Sequence, residues 1–144
     1  MKIIITESQY KRILKEEEEQ KVLHIPSLKF FNDDWNLLQK FLESKGNPPY
    51  SIGGDLDLEK TPIKSLGNLT SVGRNLNLKR TPIESLGNLT SVGSFLDLRR
   101  TPIESLGNLT SVGGDLYLYD TPLSRKYTEE DIRKMVDVGG EIIT

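Results

Sequence analysis

The middle of the chain is patterned by recurrence, not by long apolar runs. Leu76, Leu78, Ile83, Leu86, Leu89 and Val92 occupy positions that are apolar again twenty residues before and twenty residues after. Residues 61–80 read TPIKSLGNLTSVGRNLNLKR, 81–100 read TPIESLGNLTSVGSFLDLRR and 101–120 read TPIESLGNLTSVGGDLYLYD; adjacent copies differ at five of twenty positions. A partial unit, SIGGDLDLEK from Ser51, precedes them, and TPL from Thr121 follows. Within a unit, Leu-x-Leu is strand-like, with both leucines on one face and the residue between them on the other. Thr-Pro breaks any helix and Gly-Asn marks a bend. A strand and two bends leave no length for a return helix, so the return limb is expected to be extended, polyproline-like or a single tight turn.

One unit alone buries too little apolar surface to offset the ordering of its backbone. Stacked units overcome this, because each strand pairs with the next at about 4.8 Å and the apolar columns become continuous. The expected columns are Leu56, Leu76, Leu96, Leu116; Leu58, Leu78, Leu98, Leu118; and Ile63, Ile83, Ile103, Leu123. The expected fold is a repeat solenoid over residues 51–123. It has a short, curved parallel β-sheet of four strands, extended return limbs and a helical cap at each end.

Leu76-x-Leu78-x-x-Thr81-x-Ile83 resembles the L-x-L-x-x-N-x-L core of leucine-rich repeats, in the short bacterial and viral class of about twenty residues. The resemblance covers residues 51–123 and implies a curved solenoid whose strands line a concave surface that binds other macromolecules. Where that family usually carries Asn, this chain has Thr61, Thr81, Thr101 and Thr121. A hydroxyl can donate and accept in the same place but reaches less far than an amide.

The flanks divide into three. Residues 23–50 hold Asn32-Asp33-Asp34 followed by Trp35, Leu38, Phe41 and Leu42, an N-capped amphipathic helix that Gly46 and Pro48-Pro49 stop. Residues 124–144 hold Thr128 before Glu129-Glu130-Asp131, a helix start with acid in its first turn, an apolar face of Ile132, Met135 and Val136, and Gly139-Gly140 as terminator. Residues 1–22 form a leader: Thr6-Glu7-Ser8-Gln9 fits a capping box, and Glu16-Glu17-Glu18-Glu19 makes an acidic, solvated end. The leader resembles those of small proteins of large contractile-tailed bacteriophages. In these, a leader can direct a protein into the assembling head, and a maturation protease cuts after Glu in Leu/Ile-x-Glu. Leu14-Lys15-Glu16 matches that tripeptide and is the candidate processing site. The ending from Thr121-Pro122-Leu123-Ser124 to Tyr127-Thr128-Glu129 also resembles endings of phage and bacterial repeat proteins.

Differences between copies point to a recognition face. Copies two and three differ only at Ser94/Gly114, Phe95/Asp115, Asp97/Tyr117, Arg99/Tyr119 and Arg100/Asp120, all in or beside the strand. Between copies one and two only Lys64/Glu84 lies outside that window. Strand geometry turns positions 55, 75, 95 and 115, and those two and four residues on, away from the core. The candidate partner-binding residues are Asn75, Asn77, Lys79, Arg80, Phe95, Asp97, Arg99, Arg100, Tyr117 and Tyr119, with the three aromatics as anchors. Lys60, Arg80 and Arg100 stack as a column whose like-charge repulsion is under about 1 kcal/mol per neighbour in water. A solvated edge accounts for that column as well as a ridge for an acidic partner does.

Composition narrows the function. With 19 Lys+Arg against 21 Asp+Glu the net charge is -2, which disfavours a sequence-independent nucleic-acid binder. There is no cysteine, and His24 is the only histidine, so disulfides, thiolate sites and multi-histidine metal centres are excluded. No metal, no other cofactor and no catalytic residue is expected. Apolar runs are too short for a membrane span or a secretory signal, so the expected location is cytoplasmic or virion-associated. Asn68-Leu69-Thr70, Asn88-Leu89-Thr90 and Asn108-Leu109-Thr110 fit the glycosylation pattern only because the turn repeats. The function expected is non-enzymatic binding of a protein partner. The alternative is a bacteriophage structural or head-packaged protein that self-associates edge to edge or end to end.

Overall fold

A computed structural model of the chain describes residues 6–9, 11 and 22–144. In chain order its strands are β1 (Leu23–Ile25), β2 (Tyr50–Ile52), β3 (Leu56–Asp57), β4 (Leu69–Val72), β5 (Leu76–Asn77) and β6 (Ser91–Val92). They continue with β7 (Leu96–Asp97), β8 (Ser111–Val112), β9 (Leu116–Tyr117), β10 (Asp137–Val138) and β11 (Ile142–Ile143). Helices are α1 (Trp35–Ser44), α2 (Pro122–Lys126) and α3 (Glu129–Met135), with a 3-10 turn at Leu28–Phe31.

The strands form two parallel sheets, not the single sheet expected. Sheet A runs β1-β2-β4-β6-β8-β10 and sheet B runs β11-β9-β7-β5-β3. Sheet B pairs Leu56 with Leu76, Leu76 with Leu96 and Leu96 with Leu116 in the expected register. The second sheet arises from Ser-Val before the glycine: Ser71, Ser91 and Ser111 pair in turn, as do Val72, Val92 and Val112. A Cβ at Gly73, Gly93, Gly113 or Gly139 would overlap the carbonyl oxygen of the glycine one rung below. Only glycine lets the corner between the two sheets stack this closely.

The core lies between the sheets and is a set of columns. Leu56, Leu76, Leu96 and Leu116, then Leu58, Leu78, Leu98 and Leu118, are all buried, as are Ile83, Ile103 and Leu123, with Ile63 partly so. The threonine column closes each turn: Thr61, Thr81, Thr101 and Thr121 donate Oγ1 to the carbonyls of Leu58, Leu78, Leu98 and Leu118 at 2.7–2.8 Å. The short reach of a hydroxyl suits this bond, which spans three residues within one rung. Return limbs at residues 61–66, 81–86 and 101–106 carry no regular secondary structure.

The ends extend the sheets. The N-terminal β1 pairs with β2, Leu23 opposite Tyr50, and α1 starts at Asp34, whose carboxylate accepts from the amides of Asn36 and Leu37. Leu38 and Leu42 are buried, while Trp35 and Phe41 pack partly buried against the core. At the other end residues 124–144 are not simply a helical cap. Helices α2 and α3 take the place of a return limb, and β10 and β11 then add a rung in register with β8 and β9. Gly139-Gly140 therefore turns the chain between two strands and does not terminate α3, and Met135 is exposed (45%). The Thr128 capping box forms, Thr128 Oγ1 accepting from Asp131 N and Asp131 Oδ2 from Thr128 N. So does the leader's, with Thr6 and Gln9 bonding reciprocally at 2.9 and 3.2 Å. Leu14, Lys15 and Glu16 lie outside the described residues.

Candidate functional site

On the outer face of sheet B, β3 and β5 are each bounded by two side-chain oxygens that serve the backbone, and β7 and β9 each keep one of the two. At strand entry Asp55 Oδ1 accepts from Asn75 N at 3.0 Å, Asn75 Oδ1 from Phe95 N at 3.1 Å, and Asp115 Oδ1 from Glu141 N at 2.8 Å. Two residues on, Asp57, Asn77 and Asp97 accept from the amides of Glu59, Lys79 and Arg99 at 3.0–3.1 Å and shape the turn. Asn75, Asn77 and Asp97, expected partner contacts, also carry a scaffold role, since a side-chain oxygen of each accepts a backbone amide. Asp97 is 3% exposed, because the Arg99 side chain lies across it.

Two aromatics interrupt these ladders. Phe95 carries no acceptor at the strand-entry position, and Tyr117 replaces the turn acceptor with a ring whose only oxygen is at its far end. The rings are neighbours on adjacent rungs, edge to face, with centroids 6.0 Å apart at 86°. The Arg99 guanidinium lies over the Tyr117 ring, 4.9 Å from its centroid. It is held there by Asp97, whose oxygens accept Nε at 2.9 and 3.1 Å and Nη2 at 2.6 Å. The hydrogen bond to Asp97 raises the Arg99 pKa further, so its charge is permanent. Burial, helped by Asp115, pushes the Tyr117 hydroxyl above the ordinary phenol range, and that hydroxyl donates to Asp115 Oδ2 at 3.4 Å. Tyr119 stands beside the group, 55% exposed.

The remaining candidates lie along the turn edge. Lys60, Arg80, Arg100 and Asp120 all adopt the left-handed conformation, with φ between 57° and 61°, which aims their side chains outward from the same point of each rung. Arg100 reaches Asp120 at 3.9 Å, an acid it shares with Arg125 at 3.4 Å. Among the described residues neither Lys79 nor Arg80 is in an ion pair. The structure thus gathers Phe95, Tyr117, Arg99 and Tyr119 into one patch with Lys79, Arg80 and Arg100 at its border. Asp115 belongs to this patch and was not among the expected residues; its signal in the sequence was its place in the variable window.

Other chemistry is sparse among the described residues. His24 Nδ1 meets Ser51 Oγ at 2.6 Å, but Ser51 is buried and no carboxylate is hydrogen-bonded to the ring. No group of three or more acids and histidines is placed to hold a metal ion, and no helix is long and apolar enough to cross a membrane. The glycosylation-like asparagines bond from rung to rung at the surface: Asn68 Nδ2 donates to Asn47 O, Asn88 Nδ2 to Asn68 Oδ1 and Asn108 Nδ2 to Gly87 O. No protein-family model matches the chain, and neither a curated protein nor a solved structure shows significant similarity to it.

Proposed function

We propose that the chain is a non-enzymatic protein-binding module, of the leucine-rich-repeat kind that its core motif resembles. It would use the outer face of sheet B around Phe95, Tyr117, Arg99 and Tyr119. One observation carries this reading: Phe95 and Tyr117 stand where the rungs below them place backbone-bonding Asp or Asn. Each aromatic forgoes a hydrogen bond worth about 0.5–1.5 kcal/mol that the repeat supplies elsewhere. Local rules of a fold are broken mainly where function requires it. Exposed Tyr and Arg on a rigid sheet are the side chains enriched at binding hot spots.

The partner surface that fits is acidic with an apolar or aromatic projection. The projection packs against the Phe95–Tyr117 pair, and the acid meets Lys79, Arg80 and Arg100. The test is affinity capture from the native lysate with the unmodified chain, with the double variant F95N/Y117N and with K64E on the return limb. A protein retained by the unmodified chain and by K64E, and lost with F95N/Y117N at unchanged thermal stability, is the expected outcome. Equal retention by all three removes this face as the site.

A further inference from the structure

In sheet B the amides of each rung donate to the carbonyls of the rung after it. Asn75 O, Asn77 O and Lys79 O accept from Leu56, Leu58 and Lys60 N at 2.8, 2.8 and 3.0 Å. Phe95 O, Asp97 O and Arg99 O accept from Leu76, Leu78 and Arg80 N at 3.0, 2.9 and 3.0 Å. In the first strand, β3, the equivalent carbonyls are those of Asp55, Asp57 and Glu59, and among the described residues none of them receives a backbone amide. The reason is topological. Sheet A begins one rung earlier, with β1 beneath β2, but after β1 the chain leaves through Pro26 and Ser27 into the 3-10 turn and α1 instead of running beneath β3. Sheet B is therefore one strand short at this end. Two cavities of about 440 and 540 Å³ lie along the bare edge and share Asp33 and Asp57. Their far wall holds Leu28 of the 3-10 turn, with Asp34 and Trp35 at the start of α1.

We propose that the edge of β3 is a second binding site, which takes an extended, basic peptide segment of a protein partner as the missing strand. An unpaired strand edge is a template for another chain. Strand addition draws affinity from main-chain bonds and specificity from alternate side chains. The repeat fixes the register. Residues of the incoming strand level with Leu56, Leu58 and Lys60 donate their amides to Asp55 O, Asp57 O and Glu59 O, so none of the three is proline. Those level with Asp55, Asp57 and Glu59 turn outward beneath these acids. Asp55 and Asp57 are exposed, and among the described residues none of the three acids is in an ion pair. Opposite charges on adjacent strands attract and like charges destabilise, which selects Lys or Arg at the outward positions. Asp33 and Asp34 add to the same field from the far wall, while Lys29 and Arg74 close it at strand entry and Lys64 at the turn. A second copy fits worse: in the register of sheet B its end strand β11 would bring Glu141 beneath Asp55. The site shares no residue with the aromatic patch.

The probe is the blocked hexapeptide Lys-Val-Lys-Val-Lys-Val, titrated into the full isotope-labelled chain and followed by NMR, with amide exchange read on the free chain. Saturable shifts at the amides of residues 55–59 are the expected result. The Glu-Val peptide of the same pattern is expected to bind about fivefold more weakly or worse. The Lys-Val peptide N-methylated at its three valines keeps the charge but has no donors for the edge, and is expected to lose about tenfold or more. D55N/D57N copies Asn75 and Asn77 of the next rung and so keeps the side-chain acceptors; it is expected to weaken the probe about fivefold at unchanged thermal stability. F95N/Y117N is expected to bind the probe as the unmodified chain does, which separates this site from the aromatic patch. The absence of shifts on this edge at millimolar probe overturns the proposal. Equal affinity for the methylated peptide overturns strand addition, and equal affinity for the Glu-Val peptide overturns the basic partner. A slowly exchanging Asp57 amide in the free chain also overturns it, because the edge is then already covered: by a second copy if protection rises with concentration, by the chain itself if it does not.

Discussion

Replacing Phe95 and Tyr117 by Asn, the residue found one rung earlier at Asn75 and two rungs earlier at Asn77, separates the scaffold from the site. At position 95 the new side chain is placed to accept from Asp115 N, as Asn75 accepts from Phe95 N at 3.1 Å. At position 117 it is placed to accept from Tyr119 N, as Asn77 accepts from Lys79 N at 3.1 Å. Two regained bonds contribute about 1–3 kcal/mol. Against this stand the lost edge-to-face pair, about 0.5–1.5 kcal/mol, and the lost arginine–ring contact, about 0.5–1 kcal/mol at a surface site. The net change is close to zero, within about 1–2 kcal/mol. The double alanine variant loses the same contacts and regains nothing, so it falls below the Asn variant by about 1–3 kcal/mol. Urea unfolding followed by circular dichroism measures both midpoints. An alanine pair as stable as the asparagine pair would refute the view that the aromatics displaced structural acceptors.

Three further predictions rest on other parts of the molecule. D97N/R99K recreates the Asn77 and Lys79 arrangement of the rung below. The double variant is therefore expected to lose about 1 kcal/mol less than the sum of D97N and R99K, as contacting residues in one network do; strict additivity in a denaturation cycle contradicts the coupling. Tyr50, 1% exposed, donates to Leu66 O at 2.7 Å, and burial pushes its pKa up to about 12, offset in part by Gln39. Its neutral form is favoured by folding, so that stability is fully present below the unfolded value near 10 and falls as pH rises through 10 to 12, by up to about 3 kcal/mol. Y50F would flatten this loss between pH 9 and 12 in chemical denaturation, and an unchanged slope would speak against it. G93A is expected to cost more than about 3 kcal/mol, because its Cβ would overlap the Gly73 carbonyl. G46A, at φ 84° with open space around it, is expected to cost about 1–2 kcal/mol; thermal melts giving equal losses would exclude close stacking as the reason for the glycine column.

The parts of the fold legible in the sequence are those that repeat by pure translation. Leu56, Leu76, Leu96 and Leu116 are twenty residues apart and pair as such. The Ser-Val strands of sheet A were harder to see. A two-residue strand has no alternation to read, and its pairing is visible only through the glycine that follows it. The last rung was hidden for a different reason. Val138-Gly139-Gly140 echoes Val112-Gly113-Gly114, but Val138 pairs with Val112 at an offset of twenty-six residues, because α2 and α3 lengthen the limb. In the candidate site the aromatic pair stood out because copies differ there. The structural duty of Asn75, Asn77 and Asp97 did not, since an amide acceptor's role depends on which backbone N–H the stacking brings beneath it.

The geometry also separates what gives the proposed interface its strength from what gives it speed. Phe95 and Tyr117 are packed on each other, and Arg99 is pinned by Asp97 across the second ring. These three groups have little rotamer freedom left to lose, so binding through them avoids much of the roughly 0.5–1.5 kcal/mol per side chain that ordering a loose contact costs. Lys79, Arg80 and Arg100 are different: long, wet cations at the border, screened over about 8 Å at physiological salt. Truncating a ring is therefore expected to raise the dissociation rate, while reversing a border charge, as in R80E, lowers the association rate and removes its salt dependence. Surface plasmon resonance with the captured partner distinguishes the two. If R80E left the association rate unchanged at low salt, the cations along the turn edge would be solvated surface, and the acidic character assigned to the partner would fall with them.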